Sequence, residues 1–220
     1  EVNRGHAIDF RVATTRATET TTENLTKIWV TAIGESLNSH FTKVEFTKDG
    51  NYFVTPNAYY WPADGSTLKF WAYYPSDDVT GTDVSINASE QLLKGFKPAQ
   101  KFEDQVDFIT AKAQGSKADQ ATGVELLFHH ELAQVSFYAQ NQNSEYVYKV
   151  YGLRIANPLT NGTYNFEDRS WTFDPLNVEK DAYSTLFDEP VTVSYYLNEL
   201  TCKRVDTANG YDYVYNTAMI

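Results

Sequence analysis

Apolar and polar positions alternate most sharply along residues 125–139, ELLFHHELAQVSFYA. Leu126, Phe128, His130 and Leu132 share one parity, and Ala133, Val135, Phe137 and Ala139 share the other. Side chains of a strand alternate between faces, so one buried face cannot serve both sets unless the parity shifts near Leu132. A β-bulge at that point supplies the shift, and the stretch is predicted as one long, bent, central strand. His130 falls on the inward parity. It reads as a core histidine hydrogen-bonded to backbone rather than a metal ligand, because a metal needs convergent ligands and a second shell.

Earlier in the chain, residues 7–13 read AIDFRVA and set Ile8, Phe10 and Val12 against Asp9, Arg11 and Ala13, a period-two strand with one apolar face. The Thr-rich residues 13–26 have no apolar periodicity and read as an exposed connector within reach of a protease, with Arg16-Ala17 in its middle. Residues 28–33 form a strand ending at Gly34. Residues 41–46 alternate poorly, yet Lys48-Asp49-Gly50-Asn51 is a strong hairpin turn with residues 52–55 as its returning arm. In YYWPADGSTLKFWAYYP, residues 59–75, Pro62 and the Ala63–Ser66 turn precede a strand. Its Leu68, Phe70, Ala72 and Tyr74 face opposite to Lys69, Trp71 and Tyr73, so both sides are expected to be covered.

Residues 76–104 read as loop-rich, with a helical turn near 90–93. A short strand follows at 107–111 and a polar loop at 114–122. Residues 146–156 form a strand with Val147, Tyr151, Leu153 and Ile155 on one parity, and 163–166 pairs with 170–173 across a turn at 167–169. Residues 174–190 look irregular, and 190–196 and 211–215 look like two more strands. No amphipathic helix of ten residues and no fixed-period repeat is present. Short strands at regular spacing between turns predict an all-β sandwich.

Composition narrows the function more than the fold. Of 220 residues, 42% are hydrophobic and 15% aromatic, enough for a sizeable core. The formal net charge of −11 argues against nucleic acid, whose phosphates call for basic patches. The single cysteine, Cys202, excludes an internal disulfide. No apolar run approaches the ~18–20 residues that span a bilayer. The chain starts at Glu1 without methionine or an apolar leader, so a targeting segment is expected to have been removed.

Catalytic patterns are missing. His6, His40, His129 and His130 stand in no metal-ligand spacing, and neither a G-x-S-x-G elbow nor a phosphate- or dinucleotide-binding glycine pattern occurs. No cofactor and no enzymatic activity is expected. Glu103, Asp104 and Asp107 could form a carboxylate pair on paper, but among 29 acidic residues such a coincidence reads as a solvated face. The aromatic group at Tyr59, Tyr60, Trp61, Trp71 and Tyr73 is the strongest rival signal. Exposed rings of this kind would stack on sugars, which makes a surface carbohydrate-binding module, with Tyr59, Tyr60, Trp61 and Trp71 as its platform, the alternative to rings that fill a core.

Taken together, TTRATETTTENL (14–25), YYWPADGSTLKFWAYYP (59–75), DFITA (107–111), FHHELAQVSFYA (128–139) and NGTYNFEDRSW (161–171) resemble the fimbrillin family, the type V pilins and associated fimbrial subunits of Bacteroidales. The resemblance covers residues 8 to 175. It implies transthyretin-like, Greek-key β-sandwich domains, usually two in tandem, exported as lipoproteins and assembled on the cell surface as fimbriae. It also implies maturation by an arginine-specific protease near the N-terminus. The matching position here is Arg16-Ala17, with Arg11, inside a strand, as the less suitable site. The lipid-bearing cysteine of a precursor is missing. The expected division is residues 1–185 as the sandwich, with a detachable strand at 7–13, and 186–220 as the start of a second β domain or an extension.

The expected mechanism is therefore assembly. Ile8, Phe10 and Val12 plug a groove until cleavage after Arg16 frees them, and a neighbouring subunit then adds its own strand. The partners implied are other fimbrial subunits, the protease, and host or bacterial surface ligands, with no nucleic acid.

Overall fold

The computed structural model describes residues 7–14, 23–34, 39–76, 82–143, 145–176, 182–193, 198–200, 203–207, 210–214 and 218–219. In chain order the first strands are β1 (Phe10–Thr14), β2 (Lys27–Gly34), β3 (Ser39–Asp49), β4 (Tyr52–Val54), β5 (Leu68–Tyr74), β6 (Asp83–Ile86), β7 (Gln91–Phe96), β8 (Ile109–Gly115) and β9 (Val124–His130). They are followed by β10 (Gln134–Val135), β11 (Tyr138–Ala139), β12 (Tyr148–Ala156), β13 (Gly162–Asn165), β14 (Ser170–Thr172) and β15 (Ala182–Val193). The last are β16 (Asn198–Glu199), β17 (Lys203–Thr207), β18 (Gly210–Val214) and β19 (Ala218–Met219). The only helical turns among the described residues are 3-10 turns at Phe102–Asp104 and Lys117–Ala121, so the protein is all-β.

The chain forms two compact units. The first comprises Glu1–Lys97, Asp107–Glu131 and Asn161–Thr172, and the second Pro98–Val106, Leu132–Thr160 and Phe173–Ile220. A division at residue 185 would follow the chain end to end. Here the chain instead passes back and forth between the units.

In the first unit seven strands run in the order β1-β4-β3-β2-β5-β8-β9 and close on themselves, because β1 pairs with both β4 and β9. Ile28, Val30, Phe46, Phe70, Leu126 and Phe128 point inward and are buried. A second sheet, β14-β13-β7-β6, lies against the outer side of β5 and β8, which makes the unit sandwich-like. Its Tyr164 and Phe166 meet Phe108 edge-on, and Phe166 meets Tyr73 with ring centroids 5.8 Å apart. The strand β5 is therefore covered on both sides, with Phe70 inside and Trp71 and Tyr73 outside, as its two aromatic faces predict.

The poor alternation of residues 41–46 has a local cause. Between Val30 and Ala32 the register with β3 slips, Lys43 takes a φ of 49°, and its amide donates to Thr31 Oγ1 over 3.0 Å. The hairpin at Gly50-Asn51 forms as expected, with Gly50 at a φ of 61°.

Several expectations are corrected. Residues 125–139 are not one bulged strand: β9 ends at His130, and the opposite parity serves the second unit. There Val135 and Phe137 pack with Phe102 and Tyr183 in a separate small core. The parity change marks the chain's passage between units, not a kink within a sheet. No helical turn forms at 90–93. The Asn87 Oδ1 accepts from the Ser89 and Glu90 amides and folds β6 back onto β7. Residues 182–190 are not irregular but belong to β15, which pairs with β12. Asp188, Glu189 and Pro190 hide its periodicity. The polar loop at 114–122 holds a 3-10 turn with a Ser116–Asp119 capping box.

Candidate functional site

The N-terminal strand is the element with a distinct position, since it occupies the seam of the closed sheet. Ile8 donates its amide to the Tyr59 carbonyl at 2.8 Å, Ala7 bridges to Tyr60, and Phe10 pairs antiparallel with Phe53 of β4. On its other side β1 runs parallel to β9, matching Phe10 to Val124 through Thr14 to Phe128. Ile8 and Phe10 are fully buried, and Val12 is half-buried against the same core. The Phe10 ring stands edge-on to Phe46 at 4.9 Å and to Phe70 at 5.1 Å. Edge-to-face rings at such spacing add ~0.5–1.5 kcal/mol per pair beyond area burial.

The two sides of β1 are not held equally. Beyond Phe10 it has no register with β4, and a cavity of about 460 Å³ opens between Arg11 and Val12 on one wall and Phe53, Gly50 and Asn51 on the other. Towards β9 the contact is continuous from Phe10 to Thr14 and includes an exposed ion pair, Arg11 to Glu125 at 3.5 Å, worth at most ~1 kcal/mol.

Without β1, the remaining six strands still form an unbroken sheet from β4 to β9. They would then expose two edges and an apolar floor that includes Phe46, Phe53, Phe70 and Leu126.

The far end of β9 is anchored by polar groups. The Glu131 carboxylate, 5% exposed, accepts from Thr110 Oγ1 at 2.8 Å and from Arg169 Nε at 2.9 Å, while Trp171 Nε1 donates to the Glu131 carbonyl. Tyr164 OH meets Thr110 Oγ1 at 2.9 Å, and burial raises the Tyr164 pKa far above the usual phenol range. These contacts tie β8, β9 and the β13–β14 hairpin together. His130 is buried as expected, and its Nδ1 meets the Asp107 carboxylate at 2.6 Å, a side chain 2% exposed. That contact also takes Asp107 out of any carboxylate pair facing solvent.

Of the sequence-derived site residues, the structure brings Ile8, Phe10 and Val12 together in the seam. Arg16 and Ala17 lie outside the described residues. The aromatic group does not form one exposed face. Trp61 sits in the inner core edge-on to Phe70, Trp71 is buried on the opposite side of β5, and Tyr59 packs on Phe41 at 4.6 Å. Of the four rings proposed as a platform only Tyr60 is exposed, so a stacking surface built from all four is not available in this conformation. Trp71 falls on the strand whose two faces are both covered and Trp61 packs into the inner core, so burial of apolar area outweighs display for these two rings. Sequence reasoning missed Phe53, Gly123 and the Glu131–Arg169 pair. Gly123, directly before the apolar run of β9, was the one readable signal, as a glycine at a strand start marks a close backbone approach.

Comparison with protein-family models matches residues 15–199 to one described as fimbrillin-like, a range that begins just after β1. No curated protein matches the chain. Among solved structures, a fimbrial protein from Bacteroides vulgatus is 17% identical with a TM-score of 0.57, over 96% of this chain and 73% of that one. A candidate cell adhesion protein from Bacteroides ovatus is 14% identical with a TM-score of 0.52, over 97% of this chain and 88% of that one. Another from Bacteroides uniformis is 15% identical with a TM-score of 0.53, over 82% and 68%. At these identities the likeness carries the fold.

Proposed function

From the premise that this chain belongs to the fimbrillin-like family, we propose that it is an exported structural subunit of a cell-surface fimbria, assembled by exchange of its N-terminal strand. It is a structural protein, not an enzyme. In this reading an arginine-specific protease cuts after Arg16, β1 leaves the seam, and an extended segment of the next subunit takes its place. The observation that carries the reading is that β1 closes the sheet without being needed for its continuity.

The energetics favour replacement over vacancy. Burying Ile8 and Phe10 stabilises by roughly 1.5–3 kcal/mol each, so an empty seam is an aggregation-prone edge with a strong demand for a strand. Backbone pairing to β9 would supply affinity, and alternate side chains on the apolar floor would set register. A head-to-tail contact of this type does not close on itself, and the expected product is a fibre.

Digestion with an arginine-specific protease, followed by sizing and electron microscopy, tests the proposal. Loss of residues 1–16 accompanied by concentration-dependent oligomers is expected, and Arg16→Gln should block both. Loss of that segment with the remainder staying monomeric at high concentration would contradict it.

A further inference from the structure

The unequal grip on β1 has a kinetic meaning. Ala7, Ile8 and Phe10 are held by Tyr60, Tyr59 and Phe53 on one side, and β9 holds the strand from Asp9 onward on the other, so both grips meet at Phe10, whereas the register of residues 11–14 is with β9. The half held on one side is the half that leads towards Arg16. Beside it lies the 460 Å³ cavity, floored by the buried ring of Phe53 and the half-buried Val12. That volume falls within the ~300–1,000 Å³ of pockets that enclose whole small ligands, so it has room for apolar side chains of an extended segment. Its lining joins Arg11 and Val12 of β1 to Phe53 of β4, whose edge away from β3 is paired with Phe10.

We propose that this cavity is the docking site where an extended, period-two segment from a second copy of the chain first lands, before β1 has left. The inference rests on the strand-exchange reading and adds its order of events. The incoming strand seats an apolar side chain over Phe53 and advances along the seam while β1 peels from Thr14 back towards Phe10, whose departure last of all frees the edge of β4. Arg11, Lys48, Glu23 and Glu125 around the cavity are charged, which suits a strand whose outward positions are polar. Two strands share the seam transiently, so the sheet never has to expose its whole apolar floor. Exchange is then bimolecular in its slow step instead of waiting for spontaneous release.

The probe is a fluorescein-labelled peptide of the sequence AIDFRVAT, residues 7–14, the segment that the groove accommodates in this structure. It is added in increasing excess to the full chain cut after Arg16, and uptake is followed by anisotropy. The observed rate is expected to rise in proportion to peptide concentration. Asn51→Trp, which places a ring over the cavity from an exposed turn position, should lower that slope about tenfold, the equivalent of losing one buried apolar side chain at the landing step. Lys149→Trp, in the second unit, should leave it unchanged. A rate independent of peptide concentration, set by the departure of β1, would overturn the inference while leaving strand exchange intact. No uptake at all would overturn strand exchange itself, and the docking site with it.

Discussion

The amide of Val124 donates to the carbonyl of Asp9 over 2.9 Å, and this contact fixes where β1 begins its parallel run along β9. The residue before Val124 makes the approach feasible. Gly123 has a φ of +71°, and a Cβ there would stand 3.3 Å from the Asp9 oxygen and from the Tyr52 ring. Gly123→Ala should cost ~1–2 kcal/mol through the left-handed backbone alone. Urea denaturation measures that loss, and hydrogen exchange should show faster opening of residues 7–10.

Phe10 and Val12 share a strand face but not an environment. Phe10→Ala removes a ring held by Phe46 and Phe70 and should cost about 3–5 kcal/mol for interactions made by β1. Val12→Ala, beside the open cavity, should cost less than ~1.5 kcal/mol. Because the other six strands stay connected, hydrogen exchange in Phe10→Ala should accelerate in β1 well before it does in β5.

Arg169 is paired with a carboxylate that has little access to water. Arg169→Ala leaves Glu131 with Thr110 as its remaining side-chain donor of those described above, and a loss of about 1–3 kcal/mol is expected. Adding Glu131→Gln to that variant should recover part of the loss, because the amide brings no unpaired charge. Urea midpoints of the two single variants and the double variant measure the coupling.

His129 gives the fold a dependence on pH. Burial is the main cause that lowers its pKa, with help from the positive charge of Arg169 and from His130, against the opposing pull of Glu131. The unfolded chain takes up the proton near pH ~6.5 and the folded chain resists it to lower pH. In that window the unfolded state binds more protons, so this contribution to stability is present above about pH 6.5 and declines as pH falls through the window. His129→Gln should flatten the slope of the urea midpoint against pH between about 7 and 5.

Legibility in the sequence follows from how local the cause of each feature is. The strand β1 could be read because Ile8, Phe10 and Val12 alternate without interruption, and β5 because rings occupy both parities. The family could be read from motifs spread over residues 8–175, and the fimbrillin-like match over 15–199 agrees with it. What failed depended on distant partners. The parity change at Leu132 looks identical whether a strand bulges or the chain departs for another core. Trp61 and Trp71 carry the same composition signal buried or displayed, and only the inner core around Phe70 for the one and the second sheet over the outer face of β5 for the other decide. The seam position of β1 has no signature in the strand itself. It arises from a parallel register with residues more than a hundred positions away.

The most direct measurement locks β1 in place by chemistry. Arg11 and Glu125 are exposed register partners across the β1–β9 seam, so Arg11→Cys with Glu125→Cys, in a Cys202→Ser background, lets an oxidant tether the strand and a reductant release it. After cleavage at Arg16, the oxidised protein should remain monomeric by light scattering, and addition of reductant should start assembly. Equal assembly of the tethered and released forms would contradict the account.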